Sequence, residues 1–138
     1  MVNILAIDGS YREDGITDQM VQVAVEAVRT AGARTATVIL RDCPIEFCRN
    51  CRHCMQQPGI APGLCVHDDA MSNLVAQIEA ADAYILASPT NFGSVTALFK
   101  RFMERLAVYG YWPWGQLAPS FRKHTLPQKK ALLLSSSA

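Results

Sequence analysis

The sequence lacks several features that would assign a protein to a functional class at once. Its 13 basic and 12 acidic side chains leave a net charge of +1 at pH 7. That balance gives no electrostatic reason to expect nucleic acid or an anionic membrane as a partner. The longest apolar runs have the length of a strand and not of a membrane span. Because the N-terminus lacks the basic and apolar regions of a signal peptide, we expect a cytoplasmic protein.

Two common phosphate-binding motifs, GxxxxGK[ST] and GxGxxG, are also absent. The first apolar run, residues 2–7, instead leads into a loop of small and hydroxyl residues that ends where a helical pattern begins. Unpaired N–H groups and the helix dipole attract anions at such a point. Ser10 and Thr17 add hydroxyl groups and Arg12 adds a positive charge. The pattern predicts a phosphate site, and a purely local strand ending is the alternative.

The chain alternates strand and helix patterns over a length that suits one domain, and half of its residues are apolar. Residues 43–67 lack periodicity and are predicted to form a long, ordered loop. We predict strands at 2–7, 35–40, 83–87 and 131–134, and helices over 17–31, from Asp68 or Asp69 onward, and from Ser94 onward.

This alternation predicts an α/β fold with a doubly wound parallel sheet, because right-handed crossovers place helices on both faces of such a sheet. Ligands of these folds bind at the carboxyl ends of the strands, where the strand order reverses. The loops after the first, third and fourth predicted strands meet there. All three are rich in Ser, Thr, Asn or Gly.

Four segments together resemble the flavodoxin-like NAD(P)H-dependent FMN reductase and iron-sulfur flavoprotein family. They are GSYREDGITDQM, the long loop of residues 43–67 (the cysteine loop), which closes in GLCVHDDAM, EAADAYILASPTNFGSVTALFKRFMERL, and KKALLLSSSA. The resemblance covers nearly the whole chain and implies a flavodoxin-like sheet of order 2-1-3-4-5. Relatives continue past the fourth strand with a helix and a fifth strand. We therefore expect residues 1–138 to be a single FMN-binding domain without its last βα unit, through truncation or because a disordered tail follows.

The resemblance implies FMN as the cofactor and assigns residues to it. Relatives commonly have Tyr at the position of Asn91, so Phe92 is the residue expected to supply an aromatic contact. The phosphate is expected at Ser10, Arg12, Ile16 and Thr17, the isoalloxazine ring along Pro89, Thr90, Asn91, Phe92 and Gly93, and a further contact at Ser135.

The expected activity is electron transfer from NAD(P)H through FMN to a small acceptor such as a quinone or free flavin. No catalytic side chain is required, because the flavin performs the chemistry. Relatives bury the third-helix region between subunits, so we expect a homodimer or a higher homo-oligomer. The alternatives are an iron-sulfur flavoprotein that transfers single electrons and a non-enzymatic FMN-binding module. The near-neutral charge disfavours the module.

The cysteine loop allows three interpretations. Cys48, Cys51 and Cys54 have the two-residue spacing of [4Fe-4S] ligands, and Cys65 is a fourth thiol after ten intervening residues. Zinc bound by some of these thiols with His53 or His67 is a second interpretation. The favoured one is reduced cysteines that shape a loop beside the flavin.

Overall fold

The computed structural model describes residues 1–137. Within them no helix is both long enough and apolar enough to cross a bilayer, and the longest has 15 residues. The strands are β1 (Asn3–Asp8), β2 (Arg34–Ile39), β3 (Ala83–Pro89), β4 (Gly110–Tyr111), β5 (Ser120–Phe121) and β6 (Lys130–Ser136). The α-helices are α1 (Ile16–Thr30), α2 (Met71–Ala80) and α3 (Ala97–Arg105), and 3-10 turns lie at Leu40–Asp42, His53–Met55 and Leu106–Tyr109.

Four parallel strands form the main sheet in the order β2-β1-β3-β6. The two short strands β4 and β5 pair separately as an antiparallel hairpin. The fourth strand predicted from the sequence is therefore β6. The order confirms the flavodoxin-like arrangement for the strands that this chain contains.

The sheet buries both faces, because successive side chains of a strand point to opposite sides. Leu5 and Ile7 of β1 join one apolar cluster and Ala6 joins another. The first cluster includes buried side chains of α2 and α3, and the second includes side chains of α1. Helices thus cover the two faces as a doubly wound sheet requires.

Most element boundaries differ from those predicted by one to three residues, and the N-cap of α2 is Ala70 and not Asp68 or Asp69. Two of the differences bear on the edge where the loops meet. The helix expected from Ser94 begins only at Ala97, because Ser94 pairs with Asn91 in a tight turn and Thr96 caps the helix. The last strand is longer than residues 131–134, so Ser135 lies within β6 and not in the loop after it. Continued pairing with β3 as far as Ser136 explains the extra length.

A fully buried threonine joins the ends of β1 and β3 to α3. The Thr96 hydroxyl donates to the Gly9 carbonyl at 2.7 Å and accepts the Phe99 N–H at 3.0 Å. Its own N–H donates to the Ser88 hydroxyl at 3.0 Å. Gly9 fits closely beneath the helix, since a Cβ there would lie 2.6 Å from Phe99 Cδ2. Thr96 therefore fixes the relative positions of both loops at this edge of the sheet.

We expect Thr96→Val to lower the free energy of unfolding by about 2–4 kcal/mol, because a buried carbonyl and a helix N–H lose their partner at constant volume. Thr96→Ser keeps the hydroxyl and should recover most of that loss. Denaturant unfolding of the three proteins measures the difference. Equal stability of the Val and wild-type proteins would contradict this role of the hydroxyl.

Candidate functional site

The loops after β1 and β3 and the end of β6 meet at one edge of the main sheet. The Gly9 N–H donates to the Ala87 carbonyl at 2.8 Å, and the Thr90 N–H donates to the Ser136 carbonyl at 2.7 Å. The hydroxyls of Thr17 and Ser136 lie 3.0 Å apart. The edge therefore gathers hydroxyl and backbone groups from three separate parts of the chain.

The loop between β1 and α1 is folded around the Ser10 hydroxyl. That buried hydroxyl donates to the Arg12 carbonyl and accepts the Arg12 N–H, both at 3.2 Å. No side chain within residues 1–137 caps α1, whose N-cap is Gly15. The first N–H groups of this helix are consequently available to an external acceptor, and an anion is the acceptor that the helix dipole favours.

The predicted phosphate residues differ in exposure around this loop. Ser10 and Thr17 are buried, with 4% and 3% of their surface exposed, and their hydroxyls are held by protein partners. Arg12 and Ile16 lie on the exposed side. The four predicted phosphate residues therefore lie around one loop. The Ser10 and Thr17 hydroxyls are held by protein partners, and the Arg12 side chain is open to solvent.

A buried ion pair supports this loop from behind. Arg41 donates to both carboxylate oxygens of Asp18, at 3.0 and 2.8 Å, and to the Ser10 carbonyl at 3.1 Å. Asp18 also accepts the Asp14 N–H at 2.8 Å. The hydrogen bond from Arg41 holds the pKa of the Asp18 carboxyl below its ordinary value, although burial opposes this.

Asp8, the last residue of β1, places a second carboxyl beside that pair. It is 2% exposed and accepts the Ser10 N–H at 2.9 Å. Burial, followed by a hydrogen bond with Asp18, raises the pKa of Asp8 to about 6. The site therefore contains a carboxyl whose protonation changes near neutral pH.

The segment after β3 forms a tight exposed turn. The Asn91 N–H donates to the Ser94 carbonyl at 2.8 Å, and the Ser94 N–H donates back at 3.1 Å. Phe92 and Gly93 adopt φ values of +47° and +76°. A positive φ is costly for phenylalanine, and strain of this kind is concentrated at functional sites. The Phe92 ring is fully exposed at this position.

The rest of the predicted ring-contacting segment adjoins β6. The hydroxyls of Thr90 and Ser135 lie 3.2 Å apart, and Pro89 pairs with Ser136 in the sheet. The predicted residues of this segment therefore share one edge with the β1 loop.

Sequence analysis did not identify Asp8, Asp18 or Arg41. A carboxylate that directly follows an apolar strand was the one available indication for Asp8.

Four cysteines line a separate small cavity of about 30 Å³. They are Cys48, Cys51, Cys54 and Cys65. Two of the sulfurs accept backbone N–H groups two residues later, from Asn50 at 3.4 Å and from His67 at 3.5 Å. Burial, followed by the neighbouring cysteines, raises the pKa of the Cys54 thiol and so favours its neutral form.

The cysteine loop is held by stacked and buried arginines. The Arg52 guanidinium lies 3.8 Å from the ring centre of Trp112 and 4.3 Å from that of Trp114. The aromatic stretch 109–114 thus packs on the cysteine loop within the chain. The buried Arg122 fastens the same region through backbone carbonyls, those of Cys54, Gln57, Gly59, Val108 and Gly110.

An ion pair closes the far end of the cysteine loop. Arg105 donates to both oxygens of Asp69, at 2.6 and 3.1 Å, and to the Cys65 sulfur at 3.5 Å. Burial raises the pKa of Asp69, but hydrogen bonds from Arg105 and from the N–H groups of Glu46 and Met71 outweigh it and bring that pKa to about 2. Asp69 therefore stays ionised and anchors the start of α2.

The thiols do not form a ready metal site. In the part of the chain that the structure describes, no three His, Cys, Asp or Glu side chains are grouped closely enough to hold a metal ion. The cavity between the cysteines has room on the order of one or two water molecules. This arrangement does not fit a [4Fe-4S] cluster, and neither His53 nor His67 belongs to a zinc ligand set.

Solved structures share the fold of this chain. RosB, solved with a bound flavin-type intermediate, superposes with a TM-score of 0.72 at 20% identity, covering 99% of this chain and 52% of RosB. An azoreductase from Bacillus anthracis superposes with a TM-score of 0.67 at 12% identity, covering 100% of this chain and 70% of the azoreductase. At these identities the likeness concerns the fold alone.

Curated relatives are more similar in sequence. An iron-sulfur flavoprotein from Archaeoglobus fulgidus is 34% identical over 109 residues, which are 79% of this chain and 47% of the relative. One from Methanocaldococcus jannaschii is 31% identical over 104 residues, 75% of this chain and 51% of the relative. The chain spans about half the length of these relatives. The sequence profile described as NADPH-dependent FMN reductase matches residues 2–138. The chain therefore belongs to the NADPH-dependent FMN reductase family.

Proposed function

We propose that this chain binds FMN at the edge formed by the β1 and β3 loops, and that it transfers electrons from NAD(P)H to a small acceptor. The observation that carries the proposal is the uncapped N-terminus of α1 beside the buried Ser10 and Thr17. A phosphate matches this arrangement, because it accepts several N–H and O–H groups and carries about two negative charges. Membership of the FMN reductase family supports a flavin as the carrier of that phosphate.

We assign the phosphate to the β1 loop and the isoalloxazine ring to the turn after β3. Ser10, Arg12, Ile16 and Thr17 are the proposed phosphate residues. Ser135 and residues 89–93 are the proposed ring-side residues. When bound, FMN would supply the hydride and electron chemistry. The task of the protein is to anchor the phosphate, present backbone dipoles and hold the turn in place through Thr96.

The exposed turn at Phe92 favours access for planar substrates from solvent. Phe92 presents its full ring surface there, and aromatic surfaces bind flat ligands by stacking. Nicotinamide and acceptor would then use the same open side in turn, which leads to ping-pong kinetics. A quinone or a free flavin is the proposed class of acceptor.

The phosphate assignment predicts the effect of two substitutions. Ser10→Ala and Thr17→Val should each weaken FMN binding by about 1–3 kcal/mol, because the first frees the Arg12 backbone that the Ser10 hydroxyl holds and the second removes a hydroxyl from the start of α1. Titration of apoprotein with FMN, followed by flavin fluorescence, measures this loss. Thr37→Val, on the exposed part of β2, is the matched control. Unchanged affinity in both loop variants would remove the loop from the binding site.

The reductase assignment predicts rapid reduction of the bound flavin. Anaerobic mixing of the FMN-loaded protein with NADPH or NADH should bleach the flavin absorbance. Asn91→Leu should slow this reduction more than it weakens FMN binding, because polar groups beside the ring stabilise the charge that grows during hydride transfer. Asn73→Leu, at an exposed position of α2, is the control. Reduction by dithionite but by neither nicotinamide within minutes would contradict the reductase assignment.

A single-electron carrier with an iron-sulfur cluster is the second candidate function. It is favoured by the four cysteines that line one cavity and by the names of the curated relatives. The described side chains around the cavity, as they lie, do not fit a cluster. The reductase proposal does not depend on these thiols.

Metal analysis separates the two candidates. After anaerobic purification we expect the iron content per chain to stay well below the FMN content, because the cavity that the thiols line has room for only about one or two water molecules. Stoichiometric iron and sulfide that disappear in Cys51→Ala would support the electron carrier instead. Cys43→Ala, which removes a thiol outside the cavity lining, is the control.

A further inference from the structure

Three charged side chains lie beneath the loop between β1 and α1 and are not part of the proposed contacts with FMN. Asp8 comes from the end of β1, Asp18 from α1, and Arg41 from the turn after β2. The side chains of Asp18 and Arg41 are 7% and 16% exposed, and Asp8 is 2% exposed as a whole residue. Charges buried to this degree require partners, so the three must be considered together.

The three groups hold the loop through its backbone. Asp8 accepts the Ser10 N–H at 2.9 Å, and Asp18 accepts the Asp14 N–H at 2.8 Å. Arg41 donates to the carbonyls of Ser10 at 3.1 Å and Arg12 at 3.4 Å. The conformation of the proposed phosphate loop therefore depends on these side chains.

The two carboxyls share one guanidinium. Arg41 engages both oxygens of Asp18 and so balances the charge of that carboxylate. Asp8 lies near enough to Asp18 for the two carboxyls to share a hydrogen bond whenever one of them holds a proton. Arg41 holds the pKa of Asp18 low and burial raises that of Asp8 to about 6, so Asp8 is the carboxyl that is protonated first. No other charged side chain faces Asp8 from its strand neighbours, whose paired residues are Ile39 and Ala87.

Binding of a phosphate changes this balance. When Asp8 is ionised, the buried trio carries one net negative charge next to the loop, and when Asp8 is protonated the trio is neutral. A phosphate adds about two negative charges at the loop. Like charges in a poorly solvated site disfavour ionisation, so the phosphate must raise the affinity of Asp8 for a proton.

We propose that binding of the FMN phosphate is coupled to the uptake of one proton by the Asp8–Asp18 carboxyl pair. The proton comes from solvent, bonds to an Asp8 carboxyl oxygen and is donated in a hydrogen bond to Asp18. Asp8 is thus a positioning residue that sets the pH dependence of FMN affinity through the loop. The inference rests on the proposed function, because it assumes that FMN is the phosphate-bearing ligand.

Asp8→Asn provides the direct test. Asparagine imitates the protonated carboxyl, since it accepts the Ser10 N–H through its oxygen and donates to Asp18 through its nitrogen. The experiment measures the dissociation constant of FMN for the whole apoprotein at pH 6, 7 and 8. It is done for the wild type, for Asp8→Asn and for Glu26→Gln, which removes an exposed carboxylate of α1.

We expect the ratio of the wild-type to the Asp8→Asn dissociation constant to rise between pH 6 and pH 8, by up to about tenfold per pH unit for one coupled proton. Titration of the FMN phosphate itself cancels in this ratio. The ratio of the wild-type to the Glu26→Gln constant should stay constant. A constant ratio for Asp8→Asn, with FMN bound by both proteins, would overturn the inference and leave Asp8 a purely structural role.

A second measurement needs only the wild-type protein. Calorimetric titration with FMN at pH 7, in two buffers with different protonation enthalpies, gives the number of protons taken up on binding. We expect net proton uptake with FMN. With riboflavin, which has no phosphate to contact the loop, we expect none. Zero uptake or net release with FMN would overturn the inference even if Asp8→Asn does not fold. Absence of FMN binding by the wild type at every pH would instead contradict the proposed function.

Discussion

The hydrogen bonds of Thr96 are the constraint on which the candidate site depends. One hydroxyl holds the Gly9 carbonyl at the end of β1 and begins α3, and the N–H of the same residue holds Ser88 at the end of β3. Both proposed FMN-contacting loops leave the sheet at these points. Because one buried residue can satisfy all three groups only in one geometry, the loops cannot move independently without leaving polar atoms unpaired. The site is therefore organised before any ligand binds.

Buried charge is the second determinant of the site. A surface loop rich in glycine and serine has many conformations, yet residues 10–14 are fixed from below by Asp8, Asp18 and Arg41. Removing these charged groups from water is unfavourable, and the protein offsets that free energy only when the charges are paired and hydrogen-bonded. Here the carboxyl that Arg41 does not engage is the one with a raised pKa, so the cost is reduced by protonation.

The sequence predicted the main elements because their patterns are local. The apolar run before Asp8 and the helical spacing of α1 identified both elements, and the alternation of elements was sufficient for the parallel sheet. The start of α3 was predicted wrongly at Ser94, since Ser94 and Thr96 are both acceptable caps and only pairing with Asn91 and Gly9 distinguishes them. Long-range contacts of this kind leave no periodic pattern in a sequence.

The site was predicted less completely than the fold, for the same reason. Ser10 and Thr17 were proposed from the sequence because hydroxyls at the start of a helix can bind an anion. Arg41 follows β2, distant in sequence from Asp18, and an arginine after a strand is ordinarily solvated. Likewise, the spacing of the cysteines indicates iron-sulfur ligands, whereas the distances between the thiols depend on how Arg122 and the tryptophans fold the loop.

A crystal structure of the chain saturated with FMN would show directly where the flavin binds. We expect the flavin phosphate against the backbone of residues 10–17 at the start of α1, the isoalloxazine ring beside residues 89–93 with one face open to solvent, and the Thr96 hydrogen bonds unchanged. A flavin phosphate bound elsewhere on the protein, with the β1 loop empty, would rule out the proposed site.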